Sequence, residues 1–496
     1  MKDDFFRANP LSVDPDIPLY QQLYSHLQTA VLTGNLKPGM RLPSTRALAI
    51  LLNVSRHTVL NAYQQLIAEG YLAGMVGNGT FVAQILPDHL LASPQLKERV
   101  ETSSAEPDKP RFSDQAILQL TAPRMLTAAP SPAEGLPRPF WFGIPALKSF
   151  PYKLWSRLLI RQARRLPAAS AFTYQYAAGF LPLREAIAAH VMVSRGVHCT
   201  PEQIIIVSGV QGGLDLAARL LINSGDPVWV EDPGYLKARA AFLGSGAKII
   251  PVPVDHEGLV LEAGIARAPQ ARLVYLTPSH QFPLGVTLSL ARRTALLDWA
   301  RRADAYILED DYDSEYHYTR RPLPALQALD HDGRVIYIGT FSKVLFPALR
   351  IGYLILPPPL VEAFRTVRNL IDTHLPMLEQ AVLADFIVDG HFTRHLRKMR
   401  SLYAERRAAL LEAAREINLE IHPPEAGLHC VAWLPEGMDT LALVGEAAIQ
   451  GIDIAPVSHF SIEPLARDGI LLGYSEYGVE QIQDGMRRLA IALEAV

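Results

Sequence analysis

Apolar residues recur at every fourth position from Leu19 through Leu23 and Leu27 to Val31, which predicts one stripe of a helix over about 18–33. A turn carrying glycine and proline follows over 35–41. Ser44 then stands where it can cap a short helix over 46–52, Asn53-Val54 makes a tight turn, and Ser55 caps a further helix over about 56–69. Val59, Tyr63 and Ile67 are the expected inward face of that helix. Two helices joined by so short a turn form a helix-turn-helix, whose second helix enters the major groove of DNA. Residues 71–82 read as a two-stranded wing, with Gly77-Asn78-Gly79 supplying the positive φ angles of its turn.

Periodicity fades over about 84–138, where Pro, Ala and Ser cluster; this predicts an extended linker with room for a short helix at 86–98. Beyond it, apolar runs at 204–207, 228–230, 273–276, 306–308, 335–338 and 351–356 alternate with helical patterns. Such alternation implies βα units and a mostly parallel sheet covered on both faces. From Leu419 onward the pattern shifts to a smaller α+β piece. The expected fold is multidomain: a mainly α winged helix-turn-helix over 1–83, a linker over 84–138, and an α/β domain over 139–496 ending in the α+β subdomain.

Composition changes this picture in three ways. A chain of 496 residues is too long for one core, in keeping with two or three domains. The net charge of −3 carries no signal for nucleic acid, so any DNA binding must come from a local patch. Cys199 and Cys430 match no metal spacing and make no disulfide framework, so no metal and a reducing cytoplasm are expected. There is no signal-peptide apolar region at residues 1–10 and no run of 18 apolar residues, so no membrane partner is expected.

The local patch exists. Between Lys37 and Gln65 the charged residues are Lys37, Arg41, Arg46 and Arg56, and the next acid is Glu69. Ser44, Arg46, Ser55 and Thr58 are candidates for holding the backbone of double-stranded operator DNA, with Arg41 and Gly79 also assigned to the DNA surface. Arg56 and Asn61, on the exposed face of the second helix, are candidates for reading bases. A plain helical module with a solvated basic face is the alternative.

A different chemistry sits in the run Gly339-Thr-Phe-Ser-Lys-Val-Leu-Phe-Pro-Ala-Leu-Arg350. Pyridoxal 5′-phosphate (PLP) needs an amine for its imine and several donors for its phosphate. Lys343, Ser342 and Arg350 supply both. Upstream, Asp310 ends a predicted strand, and a carboxylate there can pair with the protonated pyridine nitrogen. Thirty-three residues separate Asp310 from Lys343, which suits two successive strands joined by a crossover. Tyr312 is a donor candidate for the ring O3′. The run 208–213, with Val210 and Gln211, opens a helix expected from about Leu214, and its backbone N–H groups make an anion site. Tyr235 is a candidate to stack on the pyridine face. Either His280 or Gln281 is a candidate to reach O3′.

The motifs now carry a resemblance. Leu42-Pro-Ser-Thr-Arg46, Ser55-Arg-His-Thr-Val59 and Gly77-Asn-Gly-Thr-Phe-Val82 resemble the winged helix-turn-helix of GntR-type bacterial regulators over about 12–83. Asn61 departs from it, since the family often has a second arginine there. From about 140 onward the ordered motifs resemble a fold-type I aminotransferase, and the whole is similar to the MocR/GabR-type regulators, which include the PLP-sensing PdxR-like kind. That resemblance implies a head-to-tail, domain-swapped homodimer with the cofactor at the subunit interface, and Tyr174 or Tyr176 contacting the partner's phosphate. The basic run Arg394 to Arg400 is read as a solvated helix face, with an approach to DNA as the alternative.

Transamination of an α-carboxylate needs a fixed cation, usually an arginine late in the chain. The corresponding stretch Asp468-Gly-Ile-Leu-Leu-Gly-Tyr474 holds leucines instead. The expected function is therefore a PLP-dependent transcriptional regulator that senses PLP or a small amine effector through an aldimine at Lys343, with no catalytic role expected. The alternatives are a working aminotransferase with a fused DNA-binding module and a pseudo-enzyme whose cofactor is purely structural.

Overall fold

The computed structural model describes residues 17–75, 79–84, 112–113, 116–117, 120, 138–165, 173–174, 176–318 and 323–496. The chain divides into two compact units between Arg111 and Phe112. The expected helix at 86–98, the tip residues 77 and 78 and nearly all of the expected linker lie outside the described residues.

The N-terminal unit contains α1 (Leu19–Leu32), α2 (Thr45–Leu52), α3 (Arg56–Ala68), β1 (Leu72–Met75) and β2 (Gly79–Val82). Its core gathers Leu23, Leu27 and Val31 of α1 against Leu48, Val59 and Leu66. Asn53 ends α2 in the left-handed conformation, φ 53°, and so makes the turn into α3. Antiparallel pairing joins β1 and β2 into the wing, and Gly79 holds φ 104°, as the turn requires. One expected inward residue is not buried: Ile67 is 39% exposed, and Leu66 takes its place in the core. A four-residue step from Tyr63 overshoots the 3.6-residue repeat, while a three-residue step keeps Leu66 on the stripe. Ile67 instead lies along the wing, where Cδ1 is 3.7 Å from the position of a Cβ on Gly74.

The C-terminal unit begins its helices with α4 (Tyr152–Arg165) and α5 (Leu181–Arg195). Its sheet is then laid down by β3 (Ile204–Val207), α6 (Gly209–Leu221), β4 (Pro227–Asp232), α7 (Leu236–Gly244), β5 (Lys248–Asp255), β6 (Gly258–Leu259), α8 (Leu261–Arg267), β7 (Leu273–Leu276), α9 (Leu290–Ala303), β8 (Tyr306–Asp311), β9 (Val335–Thr340) and β10 (Gly352–Ile355). Strand order is β3-β10-β9-β8-β7-β4-β5-β6. The run β9-β8-β7-β4-β5 is parallel, and β10 is antiparallel to both neighbours. Both faces are covered. Ile204 and Ile206 enter one core and Ile205 and Val207 the other, as the two-residue period of a strand dictates.

Two expectations are corrected. α6 starts at Gly209, not near Leu214, so 209–213 is already its first turn. β5 was not anticipated; Pro251 and Pro253 argue against a central strand, and β5 tolerates them because its outer side meets only the two residues of β6.

The remaining elements are α10 (Val361–Asp372), α11 (Met377–Val388), α12 (His391–Glu416), β11 (Glu420–Ile421), β12 (His429–Trp433), α13 (Thr440–Ile449), β13 (Ala455–Pro456), β14 (Gly469–Gly473) and α14 (Val479–Glu494). β11-β12-β14-β13 form an antiparallel four-stranded sheet, the expected α+β subdomain. No helix of the described residues is long and apolar enough to cross a membrane.

Candidate DNA surface and cofactor site

In the N-terminal unit both predicted caps form. Ser44 accepts from the Ala47 N–H at 3.2 Å, and Ser55 accepts from the Thr58 N–H at 3.0 Å and meets Thr58 Oγ1 at 2.8 Å. Tyr63 ties the two helices by donating to the Pro43 carbonyl at 3.0 Å. Capping places Arg46 and Arg56 in the first turns of α2 and α3, both exposed. Arg41 is exposed and lies at the wing: a Cβ on Gly79 would stand 3.0 Å from its Nε. Asn61 is half-buried rather than exposed, because it adjoins the buried stripe Val59, Ala62, Tyr63 and Leu66.

In the C-terminal unit a cavity of about 510 Å³ opens where the sheet strands end. Lys343, Ser342, Asp310, Tyr312, Arg350, Tyr235, Val210 and Gln211 all line it. The consecutive acids of β8 show how the strand sorts them. Glu309 and Asp311 point one way and Asp310 the other. Glu309 accepts from the N–H groups of Leu326 and Gln327, at 2.7 and 2.8 Å. Asp311 pairs with the buried Arg195 at 2.7 Å and accepts from Tyr337. Burial opposes its charge, but Arg195, Tyr337 and Ser314 outweigh that and hold Asp311 below the ordinary carboxylate range. Only Asp310 reaches the cavity.

Asp310 accepts from the Tyr275 hydroxyl through Oδ2 at 2.7 Å, while its buried Oδ1 has no partner. Burial pushes its pKa up to about 7 against the help of Tyr275. A cation beside Oδ1 would reverse that push. Lys343 donates to the Gly143 carbonyl at 2.7 Å, and burial lowers its pKa, favouring the neutral amine that an imine requires. Gly143 has φ 80°, and a Cβ there would meet Nζ at 2.8 Å, so this wall must be glycine. Arg350 also holds a left-handed conformation, φ 52°, which costs about 1–2 kcal/mol for an L-residue. The turn carries its guanidinium to the start of α6, where Nη2 donates to the Ser208 carbonyl at 2.9 Å. A guanidinium beside free N–H groups at a helix start suits a phosphate. The unpartnered carboxylate oxygen, the neutral-leaning lysine and this anion cradle together fit PLP.

Of the three candidates for O3′, Tyr312 lines the cavity and His280 and Gln281 do not. Gln281 is spent on backbone groups, donating to the carbonyls of Pro233 and Phe282 and accepting from the Leu284 N–H. His280 lies behind Tyr312: its Nδ1 is 3.0 Å from both Tyr312 Oη and Asp313 Oδ2. Tyr174 and Tyr176 are also away from the cavity, 88% and 50% exposed. Sequence reasoning missed Tyr275, Gly143, Trp141, Phe142, Asp313 and His429, all in the lining. Asp313 stood three residues from Asp310 and was within reach of the same argument. His429 and Gly143 had no local signal.

Residues 19–82 match the family described as "Bacterial regulatory proteins, gntR family", and residues 156–467 match "Aminotransferase class I and II". The chain belongs to the family of GntR-type, helix-turn-helix transcriptional regulators with an aminotransferase class I and II domain. It is 40% identical to "Probable rhizopine catabolism regulatory protein MocR" of Rhizobium meliloti, over 98% of this chain and 96% of that one. It is 34% identical to "HTH-type pyridoxine biosynthesis transcriptional regulator PdxR" of Corynebacterium glutamicum, over 96% of each chain. A kynurenine aminotransferase of Pyrococcus horikoshii, solved with PMP, superposes with a TM-score of 0.68 at 28% identity, over 81% of this chain and 99% of that one.

Proposed function

We propose that this regulator binds PLP through Lys343 and that occupancy of the cavity sets its affinity for operator DNA. The observation that carries the reading is Asp310 Oδ1, a buried carboxylate oxygen without a partner in the cavity that holds Lys343 Nζ. PLP supplies an electrophilic carbon for an amine and a cationic ring nitrogen for a carboxylate. Lys343 provides the amine and Asp310 the carboxylate, while Arg350 and the first turn of α6 hold the phosphate. Tyr312 donates toward the ring oxygen, and Tyr235 covers the ring.

On the DNA side, Arg41, Arg46, Ser44, Ser55 and Thr58 hold phosphates and Arg56 and Asn61 read base edges, with Gly79 letting the wing approach. A head-to-tail homodimer accounts for the exposure of Tyr174 and Tyr176, which would serve the partner's phosphate, and pairs two winged helices on two half-sites. A regulator that works on operator DNA would act in the cytoplasm. A ligand that binds both DNA-binding states equally would shift nothing, so the effector must prefer one of them.

The test is a PLP titration of the full chain, wild type and Lys343→Ala, reading visible absorbance and operator binding together. An absorbance band that needs Lys343, with DNA affinity changing as it forms, supports the reading. A band with indifferent DNA binding turns the search to amines, and no band removes the cofactor half. A second reading, a working aminotransferase, has support in 32% identity to "Aromatic-amino-acid aminotransferase 1" of Thermococcus litoralis, over 70% of this chain and 86% of that one. Turnover of an amino acid by the PLP-loaded protein would favour it.

A further inference from the structure

Tyr312 lines the cavity, and the groups that set its hydroxyl are buried beside it. β8 ends at Asp311, and the bend that follows turns Tyr312 and Asp313 toward one ring, that of His280. His280 is 2% exposed and Asp313 1%. His280 Nδ1 is 3.0 Å from Tyr312 Oη and 3.0 Å from Asp313 Oδ2. Two glycines hold the ring in place. A Cβ on Gly427 would overlap its Cε1, and one on Gly285 would stand 3.2 Å from its Nε2. Both have positive φ, 88° and 76°. Gly427 is itself fixed, because its carbonyl accepts from Tyr318 at 2.6 Å and from Tyr474 at 2.8 Å.

These contacts decide where the proton of His280 sits. A carboxylate only accepts, so the contact with Asp313 puts a proton on Nδ1, whether the ring is neutral or charged. Nε2 is buried with no partner, so the proton of a neutral ring would find no acceptor there. With Nδ1 protonated, Tyr312 Oη accepts in their contact, and its own O–H is left for the cavity. Burial, and after it the carboxylate of Asp313, push the pKa of Tyr312 well above its ordinary value and so keep that proton in place. Other charged and titratable groups surround the three. Asp310, Asp311 and Glu231 face Tyr312, Lys343 faces Asp313, and His429 and His317 face His280.

We propose that Asp313 and His280 are positioning residues for the cofactor's ring oxygen. The Asp313 carboxylate holds the His280 proton on Nδ1, Nδ1 donates to Tyr312 Oη, and Tyr312 is left to donate its own proton to that oxygen. This rests on the reading of the cavity as a PLP site. It gives His280 a part in the site without contact with the cofactor.

The test uses the full-length, PLP-loaded protein and reads the pH midpoint of its visible band. A donor on the ring oxygen matters most when the Lys343 nitrogen has lost its proton and no longer balances the oxygen's charge, so losing the donor raises the midpoint. Tyr312→Phe should raise it by about one unit, a tenfold shift. His280→Phe should raise it by about half a unit, and by nothing further once Tyr312 is replaced. His280→Asn, whose amide nitrogen can stand where Nδ1 does, should restore most of the difference. Asp313→Asn separates positioning from plain charge. With His280 present it should raise the midpoint, because an amide N–H facing Nδ1 moves the ring proton to Nε2 and draws the Tyr312 proton to Nδ1. In the His280→Phe background it should lower the midpoint, since only the lost charge facing Lys343 is left. Equal shifts in the two backgrounds overturn the proposal, as does a His280→Phe effect that survives without Tyr312. Nitrogen-15 NMR of the histidine-labelled, cofactor-free chain, with the signal assigned through His280→Asn, separates the two failures. If no visible band forms, the cofactor reading fails. A His280 proton on Nε2 alone sinks the positioning account whether or not PLP loads, and a proton on Nδ1 supports it.

Discussion

The two units expose their chemistry in opposite ways. In the N-terminal unit Arg41, Arg46 and Arg56 are exposed; Arg46 and Arg56 are each aimed by a cap one or two residues away, and Arg41 by its bridge to Phe81 of the wing. In the C-terminal unit Asp310 and Asp313 are buried and Lys343 is half-buried, and each is held by groups far along the chain, as Lys343 is by Gly143. A surface that binds a polyanion can be built from local sequence, because water already solvates its charges. A cavity that tunes a proton cannot, because burial must be balanced by partners from several strands. Single substitutions should therefore act gradually in the first unit and abruptly in the second.

The largest effect should be that of Lys343→Ala, which abolishes the visible band of bound PLP while leaving DNA affinity without PLP unchanged. A fall in that affinity would show that the lysine has a structural role. Asp310→Asn should come next. It keeps the contact with Tyr275 but loses the charge for the ring nitrogen, and PLP affinity should fall ten- to a hundredfold, roughly 1.4–2.7 kcal/mol, by absorbance titration. A pH series sharpens the same point. Burial depresses the pKa of Lys343, so its neutral fraction grows at lower pH than for an exposed lysine. The rate of PLP capture should therefore level off below the ordinary lysine pKa, and a plateau only above it would count against the buried-amine account.

In the DNA-binding unit, Arg46→Ala should weaken operator binding across sequences and reduce the slope of log affinity against log salt by about 1. Arg56→Ala should instead change which operator variants are preferred. The smallest effect should be that of Ser55→Ala, which removes the cap on α3 and costs about 1 kcal/mol of stability, seen as a lower melting temperature.

The same contrast explains what could be read from the sequence. The capped helices and the wing were legible because each signal lies within a few residues of its effect. Ile67 and Asn61 were misjudged because a repeat of 3.6 residues drifts against whole-number steps. In the larger unit the strand ends were legible, since Asp310, Lys343 and Arg350 follow apolar runs. The choice between His280 and Gln281 was not. It depends on Tyr312 standing between His280 and the cavity and on Gln281 being consumed by its own loop and by the Pro233 carbonyl. The cavity wall was hidden for the same reason: Trp141, Phe282 and His429 come from three distant stretches, and nothing in any one of them announces the others.

The segment that receives the chain from 84–138 is itself part of the cavity wall. Arg138 is fastened to Asp453 by two hydrogen bonds from its guanidinium, and Phe140 bridges to Gly473 of β14. Trp141, Phe142 and Gly143 follow at once in the lining, and the Gly143 carbonyl holds the amine of Lys343. Arg138 thus stands within five residues of the carbonyl that holds that amine, at most about 18 Å of extended backbone.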